Sequence, residues 1–151
     1  IVERQGGKDT LLFSECFKTS ASLPFPERLV LLGQEIKKVI IEFSPTMLSM
    51  ESLFFSKNQT TAMHVAEVRG VILYEAAQNK LAVCEYTPIQ IKVATTGYGK
   101  SDKKGMISMI PKIIKISKEI QHDDEYDAIA AGITCLASYR LNQKKQNTAT
   151  K

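Results

Sequence analysis

The apolar residues of this chain change period several times along its length, and that alternation limits the fold more than any other feature. From Pro26 to Phe43, the residues Leu29, Leu32, Ile36, Val39, Ile40 and Phe43 recur at spacings of mostly three and four, which predicts a helix with one apolar stripe. Pro26 suits its first turn, where a missing N–H costs nothing, and Ser44-Pro45 stops it. Thr46 to Glu51 then reads as a short strand, Asn58 as the cap of a second helix running to about Asn79, and Leu81 to Tyr86 as another strand. Pro88 opens a short helical piece to about Thr95, followed by a basic loop, Thr96-Gly97-Tyr98-Gly99-Lys100, and by a helix capped by Ser101. The last helix is expected from about Asp124 to Tyr139. Ahead of all this, Ile1 to Glu3, a glycine-containing turn over Arg4 to Asp9, and Thr10 to Thr19 read as a β-hairpin. A striped helix must cover a sheet, so the pattern predicts an α/β fold, a mixed sheet flanked by helices.

Composition bounds the function without naming it. A chain of 151 residues, 44% hydrophobic and 24% charged, is one domain's worth of soluble globular protein. The domain is placed at 1–141, and residues 142–151, apolar only at Ala149, are expected to form a disordered polar tail. No apolar run approaches the roughly 18 residues of a membrane span and no signal peptide is visible, so the expected location is cytoplasmic with no membrane partner. Cys16, Cys84 and Cys135 are odd in number and far apart, which favours free thiols over a disulfide framework or zinc site. His64 and His122 are too separated to suggest a triad. The net charge of +4 hides an asymmetry: Lys92 to Lys118 holds seven lysines and one acid, Asp102. Segregated basic charge suits a polyanion such as nucleic acid, although a lysine-coated solvent face has the same composition.

Three carboxylates carry the chemistry. Glu51 ends the apolar run Met47-Leu48-Ser49-Met50, where an acid is unusual in a strand and a buried one needs a partner. Asp124 and Asp127 stand three apart and share one helix face. A hard divalent cation would unite them. On local physics alone, helix capping is the better account of the two aspartates, and a strand-end pairing with lysine accounts for Glu51 equally well.

Met50-Glu51-Ser52-Leu53-Phe54-Phe55-Ser56-Lys57-Asn58 resembles the corresponding stretch of RuvC, the bacterial Holliday junction resolvase family, which has an RNase H-like fold. Other matches fall into order around it. Pro26-x-Arg28-Leu29 is similar to the start of the family's first helix, and Arg69-Gly70-Val71 to a turn of its long central helix. Glu85-Tyr86-Thr87-Pro88, Lys92, Gly97-Tyr98-Gly99 and Lys103 follow the family pattern, and Asp124-Glu125-Tyr126-Asp127-Ala128-Ile129-Ala130 matches its Asp-x-x-Asp-Ala-x-Ala signature. Two features depart from it. Family members begin with a strand carrying Gly-Ile-Asp-Pro-Gly, whose Asp is a metal ligand, and this chain contains no such motif; the alignment implies that about twenty residues, a strand and part of the next, are missing. Gly105 replaces a residue that is usually polar.

The resemblance implies a structure-selective endonuclease that resolves Holliday junctions during recombination and DNA repair by paired symmetric incisions. It implies two Mg²⁺ ions per site, held by Glu51, Asp124 and Asp127, with one activating water and the other stabilising the leaving oxygen. It implies DNA contacts from Phe54, by stacking on an unpaired base, and from Lys92 and Lys103, with Lys57, Arg69, Lys100 and Lys104 as neighbours. Each of these also has an ordinary surface or core role, and Phe55 is expected to pack inward. The implied partners are a four-way DNA junction, a second copy of the chain through the small residues Ala62, Ala66 and Gly70, and the branch migration proteins RuvA and RuvB. The absent strand leaves two alternatives open: a catalytically inactive junction-binding module, and an RNase H-like nuclease with another substrate.

Overall fold

The computed structural model describes residues 1–52 and 59–149. In order, its elements are β1 (Val2–Gln5), β2 (Lys8–Leu11), α1 (Phe25–Phe43), β3 (Met47–Glu51), α2 (Gln59–Gln78), β4 (Ala82–Tyr86), α3 (Pro88–Thr96), α4 (Lys103–Ile113) and α5 (Asp123–Ala149). The strands form two sheets of two, β1 with β2 and β3 with β4. The described chain divides into two compact units: Ile1–Cys16 with Ser49–Glu51 and Glu85–Lys151, and Phe17–Leu48 with Ser52–Cys84.

In the first unit the hairpin turns on Gly6 and Gly7 alone, at φ of +58° and +81°. Both central residues of a two-residue hairpin loop take positive φ in the turn whose twist matches the strands, and only glycine does so without strain. The short turn pairs Gln5 with Lys8 and Val2 with Leu11, so the second arm starts earlier than the sequence suggested and ends at Leu11 instead of Thr19. Beyond it, Leu12 N–H reaches the carbonyl of Ile1 at 3.0 Å. Arg4 and Asp9, opposite each other, form a two-pronged ion pair at 2.5 and 2.6 Å, while a third nitrogen of Arg4 donates to the carbonyl of Leu136 on α5 at 2.8 Å. The other edge of β2 is met by Lys115, whose N–H and C=O bond Asp9 and Leu11.

The core of this unit is built from Leu11 of β2, Ile91 of α3, Met106 and Ile110 of α4, Ile114, and Ile129, Ala130 and Ile133 of α5. Small residues let α5 take its neighbours closely. A Cβ on Gly132 would lie 2.7 Å from a methyl of Val2, so β1 sits where a side chain would otherwise be. Helix α5 also runs ten residues past its expected end at Tyr139, through Leu141 and a run of glutamine and lysine with no Gly or Pro to stop it. Helix α4 is capped by Asp102, whose carboxylate accepts the N–H of Gly105 at 2.8 Å, and not by Ser101. The two are adjacent in sequence, and only geometry decides which side chain faces the orphan amide.

In the second unit α1 packs on α2, with Gly33 against Val71, where an added Cβ would meet a methyl at 3.3 Å. Ser44 closes α1 in the left-handed region at φ 46°, its N–H bonded to Ile40 O at 2.9 Å. His64 stacks on Phe25 with ring centroids 4.0 Å apart, a packing role that removes it from any catalytic site. Asn58, the expected cap of α2, lies outside the described residues.

Candidate metal centre and basic surface

The carboxylate site lies in the first unit and is assembled by β3 and α5. Ser49 Oγ donates to the carbonyl of Ala131 at 2.6 Å, which fixes the face of β3 that looks at α5. Side chains two apart on a strand share a face, so Glu51 is on the Ser49 side. On α5, Asp124, Asp127 and Ala131 follow one another at steps of three and four and occupy a single stripe. Glu51 thus ends the strand that touches α5, and Asp124 and Asp127 share one stripe of that helix. All three are exposed.

The Asp124 carboxylate has no side-chain hydrogen bond or ion pair among the described residues, and its place in the first turn of α5 is one the helix dipole favours for an acid. Asp127 is held otherwise. Lys103 Nζ, on the first turn of α4, lies 3.3 Å from Asp127 and 3.5 Å from Asp123, so an ammonium already balances part of the acidic cluster. Desolvation works against the Lys103 charge, but the hydrogen bond to Asp127 and the two carboxylates outweigh it and hold the amine above the ordinary lysine range. Among the described residues no three His, Cys, Asp or Glu side chains converge tightly enough to enclose a metal ion.

Sequence reasoning missed one functional-looking acid, Glu125. Its side chain is 5% exposed and receives Lys118 Nζ and Ser14 Oγ, each at 2.7 Å. The Lys118 hydrogen bond, seconded by that of Ser14, keeps the Glu125 carboxyl below the usual carboxylate range despite its burial. The signal was present in the spacing: Glu125, Ile129 and Ile133 recur every four residues on the buried side of α5. A carboxylate at the head of a core stripe demands a cation. This triad anchors the N-terminal turn of α5, and with it the two aspartates.

The basic residues are distributed across both units. Lys92 is half-buried on α3, Lys100 is exposed in the loop that follows, and Lys103 and Lys104 are exposed on the first turn of α4, all in the first unit. Arg69 is half-buried on α2 in the second unit. Phe54 and Lys57 lie outside the described residues.

Comparison with known proteins decides the lineage. The family profile described as crossover junction endodeoxyribonuclease RuvC matches residues 1–135. The chain belongs to the RuvC family. A RuvC of Desulfitobacterium hafniense is 40% identical over 141 residues, covering 93% of this chain and 86% of that protein. The RuvC of Syntrophomonas wolfei is 35% identical over 151 residues, covering 100% of this chain and 88% of that one. Among solved structures, Thermus thermophilus RuvC in complex with a Holliday junction substrate superposes with a TM-score of 0.86 at 27% identity, over 93% of this chain and 86% of that one. Another Thermus thermophilus RuvC structure gives 0.82 at 28% identity, over 94% and 86%. The fold is that of RuvC, RNase H-like, as the ordered motifs implied, and no helix among the described residues is long and apolar enough to cross a membrane.

Proposed function

We propose that this chain is a Mg²⁺-dependent endonuclease that resolves Holliday junctions, with Glu51, Asp124 and Asp127 as its metal-holding carboxylates. What supports the reading is the family match over residues 1–135, with the Ser49 to Ala131 hydrogen bond bringing the end of β3 beside α5. Glu51, Asp124 and Asp127 would hold the divalent cations, which would supply a water of lowered pKa and charge for the departing 3′ oxygen. Lys103, within 3.5 Å of Asp123 and 3.3 Å of Asp127, offsets their mutual repulsion and carries a charge that a phosphate can meet. Lys92, Lys100 and Lys104 follow the backbone of the bound strand, giving affinity without sequence information.

Two symmetric cuts require two symmetric sites, and a two-fold homodimer provides them. The face of α2 bearing Met63, Ala66, Gly70 and Tyr74 supports this, since Met63 is 65% and Tyr74 61% exposed and Gly70 leaves open space for a closely packed partner. Within the same reading residues 1–141 act as one cytoplasmic nuclease domain alongside RuvA and RuvB.

The test is substrate choice. End-labelled four-way junctions, linear duplexes and RNA:DNA hybrids are incubated with the complete protein and Mg²⁺, and the expected product is a pair of symmetric nicks in the junction alone. Equal cutting of linear duplex would exclude a resolvase, and junction binding without incision would favour the inactive binding module.

A further inference from the structure

The loop after α3 is braced on both sides of an aromatic residue that has nothing to do in the isolated chain. Gly97, at φ +75°, ends α3 with its N–H on Val93 O at 2.9 Å. The hydroxyl of Thr96 accepts the N–H of Tyr98 at 3.1 Å, and its own proton faces the carbonyls of Lys92 and Tyr98 at 2.9 and 3.0 Å. Ser101 N–H then donates to Tyr98 O at 3.1 Å. On the far side Gly99 rests on the side chains of Ile89 and Val93, where a Cβ would come within 3.1 and 3.4 Å of their methyls. The backbone around Tyr98 is thus fixed by four hydrogen bonds and a van der Waals seat.

The ring it carries is nevertheless 60% exposed, and its side chain has no hydrogen-bond or ring partner among the described residues. Its setting is basic. Lys92 precedes it, Lys100, Lys103 and Lys104 follow, and the one acid of that stretch, Asp102, caps α4 through Gly105 N–H. Lys103 is paired with Asp123 and Asp127, so the positive charge offered to a ligand is that of Lys92, Lys100 and Lys104. A braced, exposed aromatic ring amid lysines complements a ligand that is both anionic and flat-faced. A nucleotide is such a ligand; an acidic peptide offers the charge without the π-face.

We propose that Tyr98 is a stacking platform for an unpaired nucleobase of the bound DNA strand, the lysines beside it holding the phosphates on either side. The assignment rests on the nucleic-acid reading given above and adds a base contact to it. Because the loop is already ordered, stacking costs little conformational entropy, and because every base has a π-face the contact is indifferent to sequence.

Binding is measured for the parent chain and for Tyr98→Phe, Tyr98→Ala and Tyr98→Leu, on a four-way junction with 2-aminopurine scanned through its centre and on a single-stranded oligonucleotide, without Mg²⁺. Tyr98→Ala and Tyr98→Leu are expected to bind roughly 5- to 100-fold more weakly than the parent, with Tyr98→Phe close to it. One 2-aminopurine position should be quenched by the parent and by Tyr98→Phe only. The ring is exposed, so these variants fold like the parent. Equal affinity in Tyr98→Ala, or Tyr98→Leu matching Tyr98→Phe, as a simple apolar contact with a protein partner would give, overturns the proposal. A parent chain that bound junctions with no dependence on Tyr98 would sink this inference and spare the resolvase reading. One that ignored junctions but bound single strands through Tyr98 would do the reverse.

Discussion

Glu51→Gln is expected to bind a four-way junction within about twofold of the parent and to cut it on the order of a hundredfold more slowly or worse. The substitution keeps the shape of the side chain and removes the charge. Glu51 is exposed at the end of β3, on the side of the strand that Ser49 occupies. Affinity for junction DNA comes from the lysines, which are untouched, and removing one negative charge near a polyanion does not weaken its binding. Cutting is another matter, because loss of even a supporting residue around a metal ligand commonly costs 10- to 100-fold, and a direct ligand costs at least that. Gel-shift titration and incision of the same labelled junction in Mg²⁺, using the complete protein, read the two effects separately. Incision at the parent rate would remove Glu51 from the site.

The second large effect concerns stability. Glu125→Ala should destabilise the protein by about 2–3 kcal/mol, the scale of charge-assisted hydrogen bonds to a buried carboxylate. The figure is held below that of a fully buried ion pair because Lys118 is 43% exposed and regains water when its partner is lost. For a chain of this length the melting temperature falls by roughly 5–10 °C. The pH dependence has a definite sign. The folded-state pKa of Glu125 lies below its ordinary value of 4.5, so its contribution is fully present above that value and is lost as pH falls through the depressed one. The stability gap between parent and variant therefore narrows on acidification below about pH 4.5. Thermal unfolding followed by circular dichroism at pH 7 and at a series of acid pH values measures both, and a gap that widened in acid would rule out the ionised Glu125–Lys118 pair as its source.

Much of the element order could be read in advance because its punctuation is chemical. Pro26, Pro45 and Pro88 mark helix starts and stops through their fixed φ and missing donor, and Gly97 closes α3 where a left-handed residue is needed. Details set by pairing or by direction were not legible. The register of β2 on β1 is set by the two-residue turn, and the choice of Asp102 over Ser101 as a cap depends on a side-chain direction. The site divides the same way. Asp124 and Asp127 share a face by spacing alone, but local physics favoured caps over ligands, and only the ordered family motifs singled them out. Lys103 read as a DNA-facing lysine, and its bond to Asp127, 24 residues away, needed α4 and α5 to be packed together. Glu125 was overlooked because attention fell on the acids either side of it, although its four-residue spacing from Ile129 marked it as the buried one.

The proposed role of Glu51, Asp124 and Asp127 is to hold the divalent cations beside β3 and α5. Anomalous X-ray scattering from crystals soaked in Mn²⁺, a close substitute for Mg²⁺ at oxygen sites, locates such ions directly. The expected result is manganese at about 2.0–2.2 Å from a carboxylate oxygen of Glu51 and from one of Asp124 or Asp127, with Lys103 turned away from Asp127. Manganese bound elsewhere, or Asp127 still paired with Lys103 and no ion beside Glu51 at millimolar Mn²⁺, would contradict it.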